Sequence, residues 1–121
     1  MKSILVVDDD FSMRRGMAIM LQGQGYEVVE ASDGMQALQL LSQKPIALAI
    51  VDLFLPGRDG IEVAEEIGRR SPRTQILLLT AYGEHERAKV AQEIFKENYL
   101  EKSSLSLVLS KKVQEILDES S

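Results

Sequence analysis

The 121-residue sequence contains no cysteine and no tryptophan, and only 5% of its residues are aromatic. Without cysteine the chain cannot form disulfides, thiolate zinc sites or a cysteine nucleophile, and this absence suits a reducing compartment. A chain of this length buries enough surface to fold without such crosslinks. We therefore expect a single domain over residues 1–121, with residues 118–121 as a frayed C-terminal segment.

Long apolar runs and basic clusters are also missing. The longest apolar run, residues 46–51, is too short to cross a bilayer. Residues 1–7 are followed directly by three aspartates, so the apolar segment is too short for a signal peptide. Fourteen basic and 19 acidic residues give a net charge of −5, and no stretch of Lys and Arg could follow a phosphate backbone. We expect a cytoplasmic protein without direct membrane or nucleic-acid contacts.

The apolar pattern alternates between short runs and segments of helical period. The runs, which predict strands, are residues 4–7, 26–30, 46–51, 76–79 and 98–101. The helical faces between and after them are Met13, Met17, Met20 and Leu21; Ala37, Leu38 and Leu41; Val63 and Ile67; Ala88, Ala91 and Phe95; and Leu105, Leu109, Val113 and Ile116. Five such βα units predict an α/β fold, a doubly wound parallel sheet with helices on both faces and the mixed strands nearer its edges.

Ionisable or hydroxylic residues follow four of the predicted strands. They are Asp8, Asp9 and Asp10 after the first strand, Asp52 after the third, Thr80 after the fourth and Lys102 after the fifth. The carboxyl ends of parallel strands meet at one edge, where ligands bind. Carboxylates crowded there repel one another unless a cation neutralises them, and oxygen ligands suit Mg²⁺. The pattern predicts a magnesium site and a carboxylate nucleophile.

Other chemistries find less support in the sequence. No glycine-rich phosphate-binding loop follows the first strand, which disfavours nucleotide binding of that kind. The only histidine, His85, is better explained by a solvated first helical turn than by a catalytic triad. Asp10 is better explained as the N-cap of the first helix than as a metal ligand.

These residues resemble the receiver domain of two-component response regulators, and the resemblance covers nearly the whole chain. The matching segments are residues 8–10, 51–60, 79–81 and 99–102. The resemblance implies a flavodoxin-like sheet of strand order 2-1-3-4-5 with five helices. It also implies a phosphoacceptor that assists its own phosphorylation and dephosphorylation and is not a turnover enzyme.

The same resemblance assigns the site. A sensor histidine kinase would transfer its phosphoryl group to Asp52, and Mg²⁺ would be held by Asp9, Asp52 and the backbone carbonyl of Phe54. Asp8 would act through a metal-bound water. Lys102 would pair with a phosphoryl oxygen and neutralise part of the negative charge on the phosphoryl group during transfer.

The resemblance also implies a conformational switch. The Thr80 hydroxyl would move towards phosphorylated Asp52, and Tyr99 would fill the space that it leaves, which changes the face formed by the fourth helix, fifth strand and fifth helix. Tyr99 could equally be a fixed core aromatic. An output domain or downstream protein would read this face, in a monomer or a phosphorylation-dependent dimer.

Two segments depart from the family pattern. Phe95 and Lys96 replace the usual Gly-Ala before the last strand, so we expect Asn98 to make the turn instead. Ser103 replaces the usual proline after Lys102, so the expected peptide bond is trans, with Ser103 or the serine after it capping the last helix.

Two other classes of protein share parts of this pattern. An aspartyl-nucleophile, Mg²⁺-dependent phosphohydrolase also carries acids at strand ends, but its nucleophile usually follows the first strand and it adds a cap domain. A pseudo-receiver would bind partners without taking phosphate. The full set of acids, Thr80 and Lys102 favours the receiver interpretation over both.

Overall fold

The computed structural model describes residues 2–102 and 105–119. In chain order its elements are β1 (Ser3–Val7), α1 (Phe11–Gly23), β2 (Glu27–Ala31), α2 (Gly34–Leu41), β3 (Leu48–Asp52), β4 (Phe54–Leu55), β5 (Arg58–Asp59), α3 (Gly60–Arg70), β6 (Gln75–Thr80), α4 (Glu86–Phe95), β7 (Tyr99–Glu101) and α5 (Leu105–Glu119). Among these residues no helix has the length and apolar character needed to span a membrane.

Five parallel strands form the main sheet, in the order β2-β1-β3-β6-β7. This order and the five helices confirm the predicted doubly wound α/β fold. The two mixed strands, β2 and β7, lie at the edges, as the sequence predicts. The carboxyl ends of β1, β3, β6 and β7 therefore share one edge of the sheet.

Alternation along each strand divides the core into two layers. On β1, Ile4 and Val6 pack with α1 and α5, whereas Leu5 and Val7 pack with α2, α3 and α4. All four of these β1 side chains are almost completely buried. The predicted helical faces are confirmed for every residue whose side chain the structure describes. Leu105 begins α5, but its side chain is not among the described side chains.

Four helices begin at a side chain that accepts a hydrogen bond from a backbone N–H of the first turn. The N-caps are Asp10 for α1, Asp33 for α2, Asp59 for α3 and His85 for α4. Such caps satisfy donors that the helix itself leaves unpaired. The predicted capping role of Asp10 is confirmed, and His85 acts at the start of α4 as a structural cap.

The segment after β3 contains a hairpin that the apolar pattern does not reveal. Strands β4 and β5 pair antiparallel around Pro56 and Gly57. Gly57 has φ +71°, which suits the third position of a type II turn after proline. Asp52 and Thr80 are the last residues of their strands rather than the first residues beyond them.

At the C-terminus, α5 continues through Asp118 and Glu119, two residues expected in a frayed segment. The other two, Ser120 and Ser121, lie outside the described residues, and so do Ser103 and Ser104. The expectations about the Lys102–Ser103 peptide bond and about the cap of α5 therefore concern a part of the chain that is not described.

The turn between α4 and β7 uses Lys96, not Asn98 as expected. Lys96 has φ 50° and ψ −109°, and Asn98 N donates to Phe95 O at 2.8 Å. These values match a type II′ turn with Lys96 at its second position, where glycine is favoured. The expectation failed because the positive φ falls inside the turn and the Asn98 N–H closes it.

Replacing Lys96 with glycine should stabilise the protein. Lys96→Gly removes the strain of a side chain at positive φ, and the larger entropy of the unfolded glycine chain offsets part of the gain, so we expect a rise of about 1 kcal/mol in the free energy of unfolding. Urea unfolding measures it. Glu97→Gly is the matched control and should lower stability, since Glu97 has no positive φ. Equal effects of the two variants would contradict the turn assignment.

Candidate functional site

Three acids and one lysine meet at the carboxyl edge of the sheet. Ligand oxygens of Asp8, Asp9 and Asp52 all lie within 4.8 Å of one another. Lys102 Nζ lies 2.8 Å from Asp8 Oδ2 and 3.2 Å from Asp52 Oδ2. Asp8 and Asp52 are buried and Asp9 is exposed, so the cluster opens to solvent on the side of Asp9. We call these four residues the acidic cluster.

Two backbone N–H groups and one arginine side chain hold the two buried acids in place. Asp8 Oδ1 accepts from Asp10 N at 2.9 Å, and Arg14 Nη1 donates to the Asp8 carbonyl at 2.9 Å. Asp52 Oδ1 accepts from Phe54 N at 3.3 Å. Each carboxylate therefore keeps its second oxygen, Oδ2, for Lys102.

Gly60 lets the chain turn back beneath Asp52. A Cβ at this position would lie 2.3 Å from the Asp52 carbonyl oxygen and 2.6 Å from Leu53 Cα, which is closer than real contacts allow. Gly60 N donates to the Leu53 carbonyl at 2.8 Å. Glycine is required here because the start of α3 packs directly against the backbone that carries Asp52.

The electrostatics of the cluster follow from its burial. Burial raises the pKa of Asp52 to about 6; the charge of Lys102 opposes this rise, and the charge of Asp8 adds to it. Burial alone would lower the pKa of Lys102, but the hydrogen bond to Asp8 and the charges of both acids raise it above its usual value. The lysine thus stays charged and compensates only part of the negative charge beside it.

The sequence singled out two further residues. Thr80 is the last residue of β6, and Tyr99 is the first residue of β7. Thr80 is fully buried, and its Oγ1 accepts a hydrogen bond from Tyr82 N at 3.0 Å. Tyr99 is partly buried and packs against the core layer that contains α4. Burial, followed by the charge of Glu101, raises the pKa of the Tyr99 hydroxyl.

The structure also shows contacts across the site that the sequence analysis missed. The Phe54 ring meets Tyr82 edge-on at 5.5 Å between centroids and His85 at 4.8 Å. Arg87 forms an ion pair with Asp59, 28 residues away. No spacing signal joins such distant residues, so only the fold reveals that the start of α4 reaches the hairpin after Asp52.

A hard cation fits the oxygen set of this cluster. Oxygens of three carboxylates lie close enough to share one ion, and the exposed side leaves room for water or a phosphoryl oxygen. A buried carboxylate beside a fixed ammonium is also arranged to accept a phosphoryl group, because the ammonium can neutralise charge on the transferring oxygens.

The comparison with known families decides between the classes of protein that share this arrangement. The family described as the response regulator receiver domain matches residues 4–114. The chain belongs to the response regulator receiver family. It is therefore a phosphoacceptor of two-component signalling and not a turnover enzyme, which excludes the phosphohydrolase.

Solved structures of other receiver domains agree in fold. A CheY-like receiver domain protein from Methanospirillum hungatei JF-1 has a TM-score of 0.90 at 28% identity, over 99% of this chain and 96% of that one. Response regulator protein TrrA from Thermotoga maritima, solved in complex with Mg²⁺-BeF, has a TM-score of 0.84 at 38% identity, over 97% of this chain and 100% of that one.

Curated relatives extend beyond the receiver domain. Transcriptional regulatory protein AfsQ1 of Streptomyces coelicolor is 33% identical over 117 residues, which are 97% of this chain and 52% of that protein. Response regulator RR06 of Streptococcus pneumoniae is 29% identical over 95% of this chain and 52% of its own length. The chain thus spans about half the length of these relatives.

Proposed function

We propose that Asp52 of this receiver domain accepts the phosphoryl group of a phosphohistidine on a sensor histidine kinase. A carboxylate oxygen of Asp52 attacks phosphorus, the bond from phosphorus to the imidazole nitrogen breaks, and an acyl phosphate forms on Asp52. The observation that carries the proposal is the position of Lys102 Nζ, 2.8 Å from Asp8 and 3.2 Å from Asp52. That ammonium supports the charge of the arriving oxygens.

The donor set of the acidic cluster supports Mg²⁺ as the cofactor. Asp9, Asp52 and the backbone carbonyl of Phe54 would hold the ion, and Asp8 would act through a water on it. When bound, the ion neutralises charge on the phosphoryl oxygens and orients the group. The complex of TrrA with Mg²⁺-BeF supports the same metal for this chain.

Thr80 and Tyr99 are proposed to carry the signal away from Asp52. The Thr80 hydroxyl would leave the Tyr82 N–H and bond to a phosphoryl oxygen, which draws the segment before α4 inward. Tyr99, partly buried on the neighbouring strand, would then move into the space. The face formed by α4, β7 and α5 changes with it, and an output domain, a downstream protein or a second copy reads the change.

The partner and the compartment follow from the chemistry. A histidine kinase that charges itself from ATP works in the cytoplasm, so we place this domain there with its kinase. Transcriptional regulators among the relatives support a regulatory output. Any nucleic-acid contact would belong to another domain, since this one is acidic.

The proposed function is tested by comparing how much phosphodonor is consumed with how much phosphorylated protein is formed. With acetyl phosphate and Mg²⁺, intact mass should show one added phosphoryl group per chain. Donor consumption should match protein phosphorylation plus its slow decay. Asp52→Asn should take up no phosphate, whereas Asp10→Asn, which keeps its capping oxygen, should behave as wild type. Sustained donor hydrolysis without labelled protein would contradict a phosphoacceptor.

Magnesium should stabilise the unmodified protein by mass action. We expect the melting temperature to rise in about 10 mM Mg²⁺, and Asp9→Ala to lose most of that rise because an exposed ligand is removed without disturbing the buried pair. Differential scanning calorimetry measures both. Asp10→Ala controls for the loss of one negative charge. A melting temperature indifferent to Mg²⁺ would count against the metal site.

The lifetime of the acyl phosphate should depend on Phe54. Phe54 lies two residues after Asp52 and its ring contacts Tyr82 and His85, so we expect the ring to limit the approach of water to the acyl phosphate. Phe54→Asn should open that approach and let the amide orient a water, which shortens the lifetime several-fold. Phe54→Leu, which keeps an apolar cover, should change it much less. Equal lifetimes in wild type and the Asn variant would refute the shielding role.

A further inference from the structure

The turn that carries Asp8 and Asp9 is held by hydrogen bonds to its backbone. Asp8 N donates to the Ala31 carbonyl at 3.1 Å, and Asp10 N donates to Asp8 Oδ1 at 2.9 Å. Arg14, in the first turns of α1, donates from Nη1 to the Asp8 carbonyl at 2.9 Å. That carbonyl belongs to the planar peptide unit that joins Asp8 to Asp9. Arg14 therefore fixes the orientation of the peptide between the two acids.

The Arg14 side chain is itself held by two further contacts. Its Nε donates to Glu30 Oε1 at 3.0 Å, and the other oxygen of that carboxylate pairs with Arg15. The guanidinium carbon lies 5.4 Å from the centroid of the Phe11 ring. Only 14% of the Arg14 side chain is exposed. Because the guanidinium is a rigid fork, it can hold β2 and the turn after β1 at a fixed distance from each other.

The direction of the Asp9 carboxylate depends on this backbone. Asp9 is exposed, whereas Asp8 and Asp52 are buried, and ligand oxygens of the three residues lie within 4.8 Å of one another. The torsion angles on either side of the peptide between Asp8 and Asp9 set the direction of one side chain relative to the other. A site whose ligands are already in place binds more tightly than one whose ligands must first be ordered.

We propose that Arg14 is a positioning residue for the Mg²⁺ site, which acts by fixing the peptide between Asp8 and Asp9. The inference rests on the Mg²⁺ site of the proposed function. Charge alone gives Arg14 the opposite effect, because a guanidinium close to a cation site repels the ion. Positioning and repulsion therefore change Mg²⁺ affinity in opposite directions, and removal of the side chain separates them.

The variant Arg14→Met removes both hydrogen bonds of the guanidinium and keeps an apolar stem beside Phe11. Its dissociation constant for Mg²⁺ alone should rise about tenfold, as is typical when a group that orients a metal ligand is lost. Titration of backbone amide NMR shifts measures the constant, and the spectra without Mg²⁺ show that the variant is folded. Arg14→Gln is a second variant and should change the constant in the same direction. Repulsion alone predicts that the constant falls.

The matched control is Arg15→Met. This variant removes the same charge and a contact with the same Glu30 carboxylate, but it leaves the hydrogen bond from Arg14 to the Asp8 carbonyl. Its dissociation constant for Mg²⁺ should equal that of the wild type or fall by up to about twofold, because screened repulsion is then the only effect. Equal weakening in Arg15→Met and Arg14→Met would overturn the positioning role.

The dependence of phosphorylation on Mg²⁺ concentration gives an independent test. With acetyl phosphate as donor and Mg²⁺ well below its dissociation constant, Arg14→Met should react about tenfold more slowly than wild type. At saturating Mg²⁺ the rates should agree within about twofold, because the bound ion then holds the carboxylates in place. A rate that stays tenfold lower at saturating Mg²⁺ would contradict a role limited to the metal site.

The possible failures are distinct. If the wild-type protein binds Mg²⁺ and takes phosphate on Asp52, but Arg14→Met binds Mg²⁺ as tightly as wild type or more tightly, the positioning role is wrong and the proposed function stands. If Mg²⁺ shifts no amide resonance of the wild-type protein, the proposed metal site fails and this inference fails with it.

Discussion

Replacing Asp52 with asparagine is expected to raise the free energy of unfolding by about 2 kcal/mol at about pH 8 without divalent cations. Burial raises the pKa of Asp52 from 3.8 to about 6, so the folded protein carries this charge at a cost. Between these values the folded state binds more protons than the unfolded state. Wild-type stability should therefore fall as pH rises from about 4 towards 7, and the Asn variant should lack that component.

Urea unfolding at several pH values measures this difference. The gap between Asp52→Asn and wild type should be small near about pH 4, where folded Asp52 is largely protonated and the unfolded group is only about half ionised, and reach its full size above about pH 7. Asp10→Asn removes the same charge from an exposed N-cap and is the control for net charge. A gap that is absent, or constant across pH, would contradict a destabilising buried carboxylate.

Removing the lysine should have the opposite and larger effect. Lys102→Met keeps most of the apolar stem but leaves Asp8 and Asp52 buried without their cation, so we expect a loss of about 3 kcal/mol in the free energy of unfolding near neutral pH without Mg²⁺. Phosphorylation by acetyl phosphate should slow at least about tenfold, because the ammonium no longer supports the transferring oxygens.

Two further variants test whether the effects of Lys102→Met come from the lost contact with the buried carboxylates. Lys89→Met removes an exposed positive charge from α4 and should leave stability and rate close to wild type. The double variant Lys102→Met with Asp52→Asn should regain part of the lost stability, because one unpaired carboxylate is gone. Calorimetry on the four proteins of this cycle gives the coupling. If the change in the double variant equals the sum of the two single changes, Lys102 and Asp52 do not interact.

The sequence predicts the fold well because burial on both sheet faces leaves a strong signal. Residues 46–51 and 76–79 are continuous apolar runs, and the strands that contain most of them lie next to each other at the centre of the sheet. The parallel βα rule then places Asp8, Asp52 and Lys102 at one edge, where the structure brings them into contact. Residues from strand ends are predictable because topology alone brings them together.

The features that the sequence analysis missed depend on contacts that leave no periodic pattern in the sequence. The β4–β5 hairpin is two residues long in each strand, which is too short for a pattern. The ion pair of Arg87 with Asp59 joins the first turn of α4 to β5, which is distant in sequence. Lys96 at positive φ contradicts local preference, so the turn was misplaced by two residues. The raised pKa of Asp52 likewise results from burial that the sequence does not specify.

Locating the phosphoryl group within the chain tests the central claim most directly. After reaction with acetyl phosphate and Mg²⁺, the acyl phosphate is reduced with borohydride, which converts a phosphorylated aspartate to homoserine, and the peptides are sequenced by mass spectrometry. We predict homoserine at position 52 and at no other aspartate, including Asp8 and Asp9. Homoserine at another position, or none in protein whose intact mass shows added phosphate, would contradict Asp52 as the phosphoacceptor.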